Sequence, residues 1–416
     1  MTDPDKRFDL IIIGGGASGY FAAINCAIKA PNIKILILEQ SKNVLHKVRI
    51  SGGGRCNVTH ACYQPKALIE NYPRGKKELL SPFLQFSAEH TTEWFLNQGV
   101  KLKTEADGRM FPVSDSSETI IECFTSLVDK YHIEVLTNHK VKEITRNDEN
   151  KTYSITAEGK TYQTPYTIIA AGSSPFVWNL LHNLDYEVTS PVPSLFTFNL
   201  PGHPITQLMG LSMPHAKVKI PAIKLTTEGP ILITHWGLSG PAVLKASAWG
   251  AVELAKTQYD FEAQIDWIPS VTIDDIKALK DDLSKKKVSA NPQFGLPQRL
   301  WIYFIHDALS TDTKIDNDKN WASLSKENLN AIISNLKSFS IHVKGKSTFK
   351  DEFVTAGGVA LRQINFKNFE SKVHSGLYMT GEVLNIDAIT GGFNFQAAWT
   401  GGYLAGSDVA KKFNDQ

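Results

Sequence analysis

A glycine-rich turn that directly follows the first apolar segment constrains the fold of this chain more than any other feature. The segment Leu10–Ile13 is apolar and mostly β-branched, which is typical of a strand buried on both faces of a parallel sheet. Gly14, Gly16 and Gly19 follow it with the spacing G-x-G-x-x-G, and an apolar helical pattern comes next. In such turns the second glycine lets the backbone approach a pyrophosphate, and the helix that follows points its N-terminus at the anion.

The second apolar strand ends at an acidic residue in the position that such a turn requires. Ile33–Leu38 is apolar apart from Lys34, and Glu39 follows it directly. Glu39 lies 20 residues after Gly19 (39 − 19 = 20), where an acid binds a ribose hydroxyl in dinucleotide-binding folds. A glycine-rich turn that binds nothing would leave Glu39 unexplained. The sequence therefore predicts a dinucleotide site.

The composition is that of an ordinary globular protein with more than one domain. The length of 416 residues suggests about two or three domains, and a formal net charge of +2 provides no field that would recruit nucleic acid or a membrane. Four cysteines indicate a reducing compartment, and the polar first residues are not typical of a signal peptide. No apolar run approaches the roughly 18 residues of a membrane-spanning helix. We expect a cytoplasmic protein with a small-molecule substrate and no membrane partner, and we do not expect nucleic-acid binding. The sequence predicts no metal site and leaves the oligomeric state open.

A second glycine cluster, Ser51–Asn57, follows the first βαβ unit. Its three consecutive glycines, bounded by a serine and Arg55, suit neither helix nor strand, and they favour backbone that lies against a flat or charged ligand. Lys47 and Arg55 would offset pyrophosphate charge. The alternative is a flexible surface loop.

Cys56 and Cys62 raise the question of a redox pair. Their spacing is neither C-x-x-C nor C-x-x-x-x-C. Three interpretations stay open: a redox dithiol, a cofactor-lining thiol at Cys56, and a small buried apolar residue at Cys62. We favour Cys56 as a cofactor-lining residue and keep it as a second candidate catalytic group.

The pattern beyond residue 190 indicates an insert in the dinucleotide-binding domain. Prolines interrupt short alternating segments there, as in a small antiparallel barrel or sandwich, and a charged helical pattern follows. We predict a discontinuous first domain at 1–190 and 352–416. The predicted insert is a barrel at 191–270 and 340–351 that carries a helical subdomain at 271–339.

The segment Thr234–Pro241 is the best candidate for a substrate-binding stretch in the insert. Pro241 fits the first position of a helix, and Thr234, His235 and Trp236 would line a pocket at that helix start. His235 is the leading candidate for a general acid, because an imidazole donates a proton near neutral pH. The alternative is a packed aromatic residue next to a capped helix.

The last third of the chain returns to glycine-rich sequence. A strand leads to Glu382 and Asp387, and Gly391 and Gly392 precede a helix rich in small residues. The partial positive charge at the start of that helix suits the edge of a flavin, where negative charge accumulates on reduction. Together with the Ser51–Asn57 segment, this helix start favours FAD over NAD as the bound dinucleotide.

Four motifs in order resemble a known family: Gly14–Gly19, Ser51–Asn57, Thr234–Pro241, and Gly381 through Gln396. The chain resembles the bacterial aminoacetone-oxidase-like FAD-binding proteins, which are grouped with bile-acid-reductase-like NAD(P)/FAD-dependent oxidoreductases. The resemblance implies an α/β fold with a Rossmann-like, glutathione-reductase-type FAD domain built from both chain ends. It also implies an inserted β-barrel with a helical subdomain.

The resemblance also assigns cofactor contacts to matching positions. The implied FAD-binding residues are Gly14, Gly16, Ala17, Ser18 and Gly19 at the pyrophosphate; Glu39 and Gln40 at the adenosine ribose; Lys47, Ser51, Gly53, Gly54, Arg55, Cys56 and Asn57 along the cofactor; Val141, Ala171 and Gly172 near the adenosine; Gly381 and Glu382 at the ribityl-phosphate region; and Asp387, Gly391, Gly392, Phe393 and Asn394 at the isoalloxazine end. The chain departs from the family pattern at His60, where asparagine is common, and in the segment 173–179.

The leading hypothesis is an FAD-dependent oxidoreductase in which flavin N5 exchanges a hydride with a small or medium organic substrate. No second G-x-G-x-x-G follows a strand, so NAD(P)H as reductant would visit the flavin transiently. One alternative is a flavoprotein that serves RNA modification, which would need a basic surface. Another is a flavin-binding protein without catalytic activity.

Overall fold

The computed structural model of the chain describes residues 7–311, 314–315, 319–347 and 354–416. The chain divides into two compact units, one formed by 1–192 with 350–416 and the other by 193–349. The boundary expected at 351/352 lies outside the described residues. No helix in the described ranges is long and apolar enough to cross a membrane.

In the described chain up to Ser194, which lies at the start of the insert, there are eleven strands and seven α-helices. The strands are β1 (Leu10–Ile13), β2 (Ile35–Leu38), β3 (Thr59–His60), β4 (Leu102–Thr104), β5 (Arg109–Pro112), β6 (Glu134–Leu136), β7 (Val141–Asn147), β8 (Thr152–Ala157), β9 (Lys160–Thr164), β10 (Tyr166–Ile169) and β11 (Val188–Ser194). The helices are α1 (Ala17–Lys29), α2 (His46–Gly54), α3 (Pro65–Leu68), α4 (Lys76–Gln85), α5 (Ala88–Asn97), α6 (Glu118–Lys130) and α7 (Pro175–His182).

The remaining elements belong to the insert and to the last part of the chain. Those of the insert are β12 (Thr197–Asn199), β13 (Ser212–Ile220), β14 (Leu225–Thr234), β15 (Gly237–Ser239), α8 (Pro241–Lys256), β16 (Asp260–Asp266), α9 (Ile273–Asp282), α10 (Gln298–Leu309), β17 (Ser310–Thr311), β18 (Lys314–Ile315), α11 (Lys326–Lys337), β19 (Phe339–Lys344) and β20 (Lys346–Ser347). Those after it are β21 (Val354–Val359), β22 (Ile364–Asn365), β23 (Glu370–Ser371), β24 (Leu377–Met379) and α12 (Phe393–Asn414).

The first unit is built on a seven-stranded sheet with the order β22-β23-β24-β10-β1-β2-β6. Strand β1 pairs in parallel with β10 on one side and with β2 on the other, and its four residues are buried. Strand β24 extends the parallel part beside β10, so the last part of the chain completes the sheet that the first part begins. The apolar, β-branched sequence of β1 suits this central position, where both faces are covered.

Helices α1 and α12 pack against each other through glycines of α12. A Cβ added at Gly402 would lie 2.7 Å from the carbonyl oxygen of Ser18, and one at Gly406 would lie 2.3 Å from that of Ala22. Neither position has room for a side chain. The small residues of α12 therefore hold the first and last helices of the unit in close contact.

The second unit contains an antiparallel sheet with the order β19-β16-β13-β14-β15-β12-β20. Strands β19 and β20 are parts of one run of chain separated only by Gly345, and they pair with β16 and β12, respectively. The sheet therefore closes on itself as a barrel. Its apolar interior is continuous with the buried faces of α9, α10 and α11, and the same cluster contains Trp267, Trp301 and Trp321.

Candidate functional site

The glycine turn after β1 brings backbone, rather than side chains, to the start of α1. A Cβ at Gly14 would lie 2.4 Å from the oxygen of Ala170, and one at Gly19 would lie 2.1 Å from the oxygen of Gly14. Gly16 differs, because a Cβ there would meet nothing within 4 Å. Gly16 is also the N-cap of α1, and no side chain caps that helix. The turn thus leaves open space beside an uncapped helix N-terminus, which is the arrangement that binds a phosphate group.

The Glu39 carboxylate lies beside this turn. It accepts hydrogen bonds from the backbone N–H of Gly15 at 2.7 Å and of Ser41 at 2.8 Å. These bonds fix an acidic group at the end of β2, and Gln40 is exposed next to it. Ala17 and Ser18, which are also predicted to contact the pyrophosphate, lie in the first turn of α1.

The Ser51–Asn57 segment forms an unusual backbone bend at the end of α2. Gly52, Gly53 and Gly54 all have positive φ angles of 58°, 70° and 83°, which interrupt the helix after Ser51. A Cβ at Gly53 or Gly54 would meet nothing within 4 Å, whereas one at Gly52 would lie 2.9 Å from the ring of Phe111. Successive left-handed residues turn neighbouring N–H groups towards one side, which suits an anion or a polar ring edge.

Lys47 and Arg55, the two basic residues predicted to offset pyrophosphate charge, both form ion pairs with carboxylates of the protein. The Lys47 ammonium lies 2.5 Å from a Glu382 carboxylate oxygen. Arg55 forms an ion pair with Glu105 at 2.6 Å, and its guanidinium lies 3.9 Å from the centre of the Phe111 ring. Through these contacts Arg55 stabilises the small sheet of β3, β5 and β4. Its role as a cofactor residue stays a prediction.

Cys56 is fully buried and has a positive φ of 61°. Burial raises the pKa of its thiol to about 12, so the thiol is protonated at neutral pH. Cys62 is a free, partly exposed thiol whose pKa burial also raises, so the two are not joined by a disulfide. A protonated, buried thiol suits a packing role better than a nucleophile.

The residues assigned to the adenosine and ribityl parts lie at three neighbouring chain segments. Val141 begins β7 and is buried, and Gly172 follows β10 with a φ of 60°. A Cβ at Gly172 would lie 3.7 Å from the Glu382 carboxylate, and Ala171 precedes it. The Ser18 hydroxyl donates to the Thr380 hydroxyl at 2.6 Å, which brings Gly381 to the first turn of α1.

The N-terminus of α12 is a second helix start without a side-chain cap. Gly391 and Gly392 have φ angles of 129° and 90°, and Gly392 is the N-cap. With its carboxamide oriented so that both of its polar atoms are paired, Asn57 joins this point to the Ser51–Asn57 segment, and its oxygen accepts from the N–H of Gly392 at 3.0 Å. The Asn394 carboxamide donates to the Ala388 carbonyl and accepts from the Ala388 N–H.

His60, where the chain departs from the family pattern, stacks on Phe393 of α12. Their ring centres are 4.7 Å apart, and the His60 Nε2 lies 3.0 Å from the Asp107 carbonyl oxygen. A carbonyl only accepts, so Nε2 carries the proton. Burial lowers the pKa of the imidazole, so the ring is neutral at neutral pH.

Asp387, which the sequence predicts at the isoalloxazine end of the cofactor, has a basic partner. Its carboxylate is fully buried and forms a two-point ion pair with Arg74, through Nε and one Nη. Arg74 was not predicted as a site residue. No local pattern marks it, because it lies in a short connection between α3 and α4 and its importance depends on a partner more than 300 residues away (387 − 74 = 313).

His235 belongs to the second unit. It lies in the turn between β14 and β15, where its exposed ring contacts the edge of Trp236 at a centre distance of 4.2 Å. The Trp236 indole N–H donates to the Thr197 hydroxyl at 3.0 Å, so Trp236 is anchored while His235 faces solvent. Its role as a general acid stays a prediction. Among the described residues, no group of three or more acidic, histidine or cysteine side chains could hold a metal ion.

The chain is similar to known proteins along almost its whole length. A family model described as HI0933-like protein Rossmann domain matches residues 8–408. A ribosomal RNA dihydrouridine synthase from Haemophilus influenzae is 28% identical over 422 residues, which cover 97% of this chain and 98% of that protein. A 3-dehydro-bile acid delta(4,6)-reductase from Clostridium scindens is 26% identical over 418 residues, which cover 96% of this chain and 98% of that protein.

A solved structure has a similar fold at low sequence identity. The crystal structure of a 3-ketosteroid-delta4-(5alpha)-dehydrogenase from Rhodococcus jostii, in complex with 4-androstene-3,17-dione, has a TM-score of 0.54 at 13% identity. The alignment covers 99% of this chain and 98% of that chain. At this level of identity the likeness concerns the fold.

The parallel sheet, the glycine turn and the acid at the end of β2 define a Rossmann-type dinucleotide-binding protein. The chain belongs to the HI0933-like family of Rossmann-type FAD-binding proteins, and it is an FAD-dependent oxidoreductase. The family, the fold class and the flavoenzyme class predicted from the sequence are thereby confirmed. The residues present also fit the cofactor. Gly16, Gly53 and Gly54 leave open space beside the backbone, and a side chain at any of them would occupy space that the cofactor would need.

Proposed function

We propose that this chain reduces a carbon–carbon double bond conjugated to a carbonyl group, with NAD(P)H as a transient reductant. The observation that carries the proposal is that two helix starts without side-chain caps, at Gly16 and Gly392, each lie against another segment predicted to bind the cofactor, through the Ser18–Thr380 and Asn57–Gly392 contacts. Bound FAD would supply N5 of its isoalloxazine ring as the hydride donor or acceptor.

The names of two relatives describe the same type of bond change. A dihydrouridine synthase saturates a ring double bond next to a carbonyl of uracil, and a 3-dehydro delta(4,6)-reductase acts on double bonds conjugated to a 3-oxo group. Saturating a carbon–carbon double bond of this kind adds a hydride to one carbon and a proton to the other. This common chemistry supports the proposed reaction class for the present chain.

The chain's own residues would bind and orient the reacting groups. The N–H groups at the start of α1 would hold the pyrophosphate, and Glu39 would accept from the adenosine ribose. The N-terminus of α12 would stabilise negative charge on the reduced ring. Lys47 would offset the charge of Glu382 beside the ribityl-phosphate part. His235 is the proposed proton donor to the substrate.

Anaerobic reoxidation of the reduced protein tests this proposal. The FAD-loaded protein is reduced and then mixed with a conjugated dienone or a saturated analogue as matched control. We expect the flavin absorbance to return only with the dienone, and the product to gain the mass of H2. His235→Gln should slow this return without altering FAD content. No reoxidation by any conjugated acceptor would contradict the proposed reaction class.

A second candidate substrate is a uracil base in ribosomal RNA. Relatives from Haemophilus influenzae and Escherichia coli carry the name ribosomal RNA dihydrouridine synthase. The low net charge led us not to expect nucleic-acid binding, so this candidate needs a local cationic surface. A cleft of about 520 Å³ at the C-terminal ends of α1 and α12 is lined by Lys29, Lys367 and Lys411, together with Asp408 and Asp415.

The lysines of this cleft are suited to phosphate contacts. Among the residues that the structure describes, none of the three lysines has a carboxylate partner, and Lys29 donates to the hydroxyls of Ser407 and Tyr403. Asp408 is paired with Lys412 at 3.1 Å. The lysines on the two helices also offset the helix dipoles, but Lys367 lies in a turn and has no such role.

Salt-dependent binding of a ribosomal RNA fragment tests the second candidate. The double variant Lys367→Glu/Lys411→Glu should flatten the plot of log affinity against log salt by about 1.4, if each lysine contacts one phosphate of a single strand. Lys66→Glu/Lys77→Glu is the control, because both lysines are exposed and the charge change is equal. Equal slopes for the two variants would contradict a role of the cleft in RNA binding.

A further inference from the structure

A short connection between α3 and α4, Asn71–Gly75, holds the loop that leads into α12. This clamp segment makes backbone contacts at both of its ends. The N–H of Ile389 donates to the carbonyl of Asn71 at 3.0 Å. At the other end, Gly75 has a φ of 86° and approaches Ile386 so closely that a Cβ would lie 2.7 Å from that side chain.

The clamp segment also reaches the first residue of α12. The buried Tyr72 hydroxyl donates to the Phe393 carbonyl at 2.6 Å, and the edge of the Tyr72 ring faces the Phe393 ring at a centre distance of 6.3 Å. Burial holds the pKa of the Tyr72 hydroxyl well above its usual value, so the hydroxyl remains a donor at all ordinary pH values. Tyr72 therefore fixes the position of the helix start.

The strongest contact is the ion pair in the middle of the segment. The guanidinium of Arg74 meets the Asp387 carboxylate in a two-point geometry, and the same two residues form an antiparallel backbone bridge. The Asp387 side chain is fully buried, and that of Arg74 is 16% exposed. Removing a two-point cationic partner from a buried carboxylate is costly, so this pair fixes the 386–393 loop tightly.

We infer that Arg74, with Tyr72, positions the isoalloxazine end of the site and leaves the adenosine end unaffected. This inference rests on the proposed function, because it assumes that the 386–393 loop and the start of α12 bind the flavin ring. The adenosine end is built from Gly14–Gly19 and Glu39, and no residue of the clamp segment touches them in the described contacts. Arg74 is therefore a positioning residue that acts through Asp387.

Binding of two probes, FAD and ADP, separates the two ends. ADP carries only the half of the cofactor that the glycine turn and Glu39 would hold. The test measures the dissociation constants of both probes for the wild-type chain, Arg74→Lys and Arg74→Gln, and the visible flavin spectrum of each loaded protein. The matched control is Lys76→Gln, because the neighbouring Lys76–Glu70 ion pair is exposed on both sides.

We expect Arg74→Gln to weaken FAD binding by at least about tenfold, the effect of losing one charge-assisted hydrogen bond, and to leave ADP binding within about twofold. The flavin absorbance band should shift, and Arg74→Lys should be intermediate in both readouts. Arg74→Lys also keeps the test informative where Arg74→Gln does not fold. Lys76→Gln should match the wild type.

Equal weakening of FAD and ADP binding would overturn the inference, because it would indicate a general loss of folding. Unchanged FAD binding and an unchanged spectrum would overturn it as well. A wild-type chain that binds ADP but cannot be loaded with FAD would instead overturn the proposed function, so the two failures are distinguishable.

Discussion

At the scale of single residues, the three glycines of the first turn differ in what surrounds them. Gly14 and Gly19 are needed by the fold, because a Cβ at either would collide with backbone. Gly16 has an ordinary extended conformation, with φ −92° and ψ −169°, and open space beside it. The fold alone does not require glycine at this position, and we propose that the predicted pyrophosphate contact accounts for it.

The contrast between Gly14 and Gly16 gives a direct prediction. Gly16→Val should leave the free energy of unfolding within about 1 kcal/mol of the wild type and weaken FAD binding at least about tenfold. Gly14→Ala should lower the free energy of unfolding by about 1–3 kcal/mol, because of backbone collision at a positive φ. Urea unfolding and FAD titration measure both quantities. Full FAD affinity in Gly16→Val would contradict the assigned position of the pyrophosphate.

Cys56 provides a second prediction at this scale. Because its thiol is buried and its pKa is raised to about 12, iodoacetamide at about pH 8 should leave Cys56 unmodified in the folded protein. Cys62, which is partly exposed, should react first and serves as the internal control. Peptide mass mapping reads out both sites. Rapid labelling of Cys56 would contradict this assignment of a protonated, inaccessible thiol and would favour the prediction of Cys56 as a catalytic group.

His60 links stability to pH. Burial lowers the pKa of the folded imidazole, so the unfolded chain binds that proton more readily, and stability is lost as the pH falls through the unfolded value of about 6.5. His60→Asn should therefore show a smaller fall in melting temperature between about pH 7.5 and pH 5.5.

His342 provides a control for this measurement, because its pKa is shifted in the opposite direction to that of His60. Glu262 and Asp260 raise the pKa of its imidazole, so its contribution to stability is present at low pH and is lost as the pH rises. His342→Asn should therefore show a larger fall over the same range. An unchanged pH profile in His60→Asn would contradict the assigned effect of burial.

The sequence predicted the residues of the turn but not their partners across the chain. Gly14, Gly16, Gly19 and Glu39 are recognisable because their spacing is local and follows from one βαβ unit. Arg74 was missed because an isolated arginine gives no signal, and only the folded chain brings Asp387 to it. Arg55 was read as a cofactor residue, yet its ion pair with Glu105 depends on a sheet that the local pattern does not reveal.

At the scale of elements, the pair α1 and α12 connects the two ends of the chain. Periodicity predicted both helices and the strands that precede them, and the small residues of α12 indicated close packing. The helix partner of α12 was not predictable, because small residues do not identify what they pack against. The structure shows that it is α1, so the two uncapped helix starts have a fixed relation.

Gly406→Ala tests that packing. Alanine favours a helix over glycine by about 1 kcal/mol, but the new Cβ would lie 2.3 Å from the Ala22 oxygen. We expect a net loss of about 1–3 kcal/mol in the free energy of unfolding, measured with urea. Gly401→Ala is the control in the same helix, because its nearest neighbours are side-chain atoms at 3.3 Å. A stabilised Gly406→Ala would contradict the close approach of α1 and α12.

At the scale of the whole molecule, a discontinuous unit made from both chain ends carries the dinucleotide site, and a separate unit contains a closed antiparallel barrel. Proline-punctuated alternation predicted a barrel or sandwich, and closure itself depends on the bend at Gly345, which no local pattern specifies. His235, the proposed proton donor, lies in the second unit. No local pattern of the sequence identifies the substrate, which is therefore the least predictable part of the function.

Loading the purified chain with FAD and adding NADH or NADPH without oxygen tests the central claim most directly. The account predicts one FAD per chain and loss of the visible flavin absorbance with at least one of the two nucleotides. A flavin that neither nucleotide reduces would contradict only the proposed reductant. A colourless chain that cannot be loaded with FAD would contradict the account as a whole.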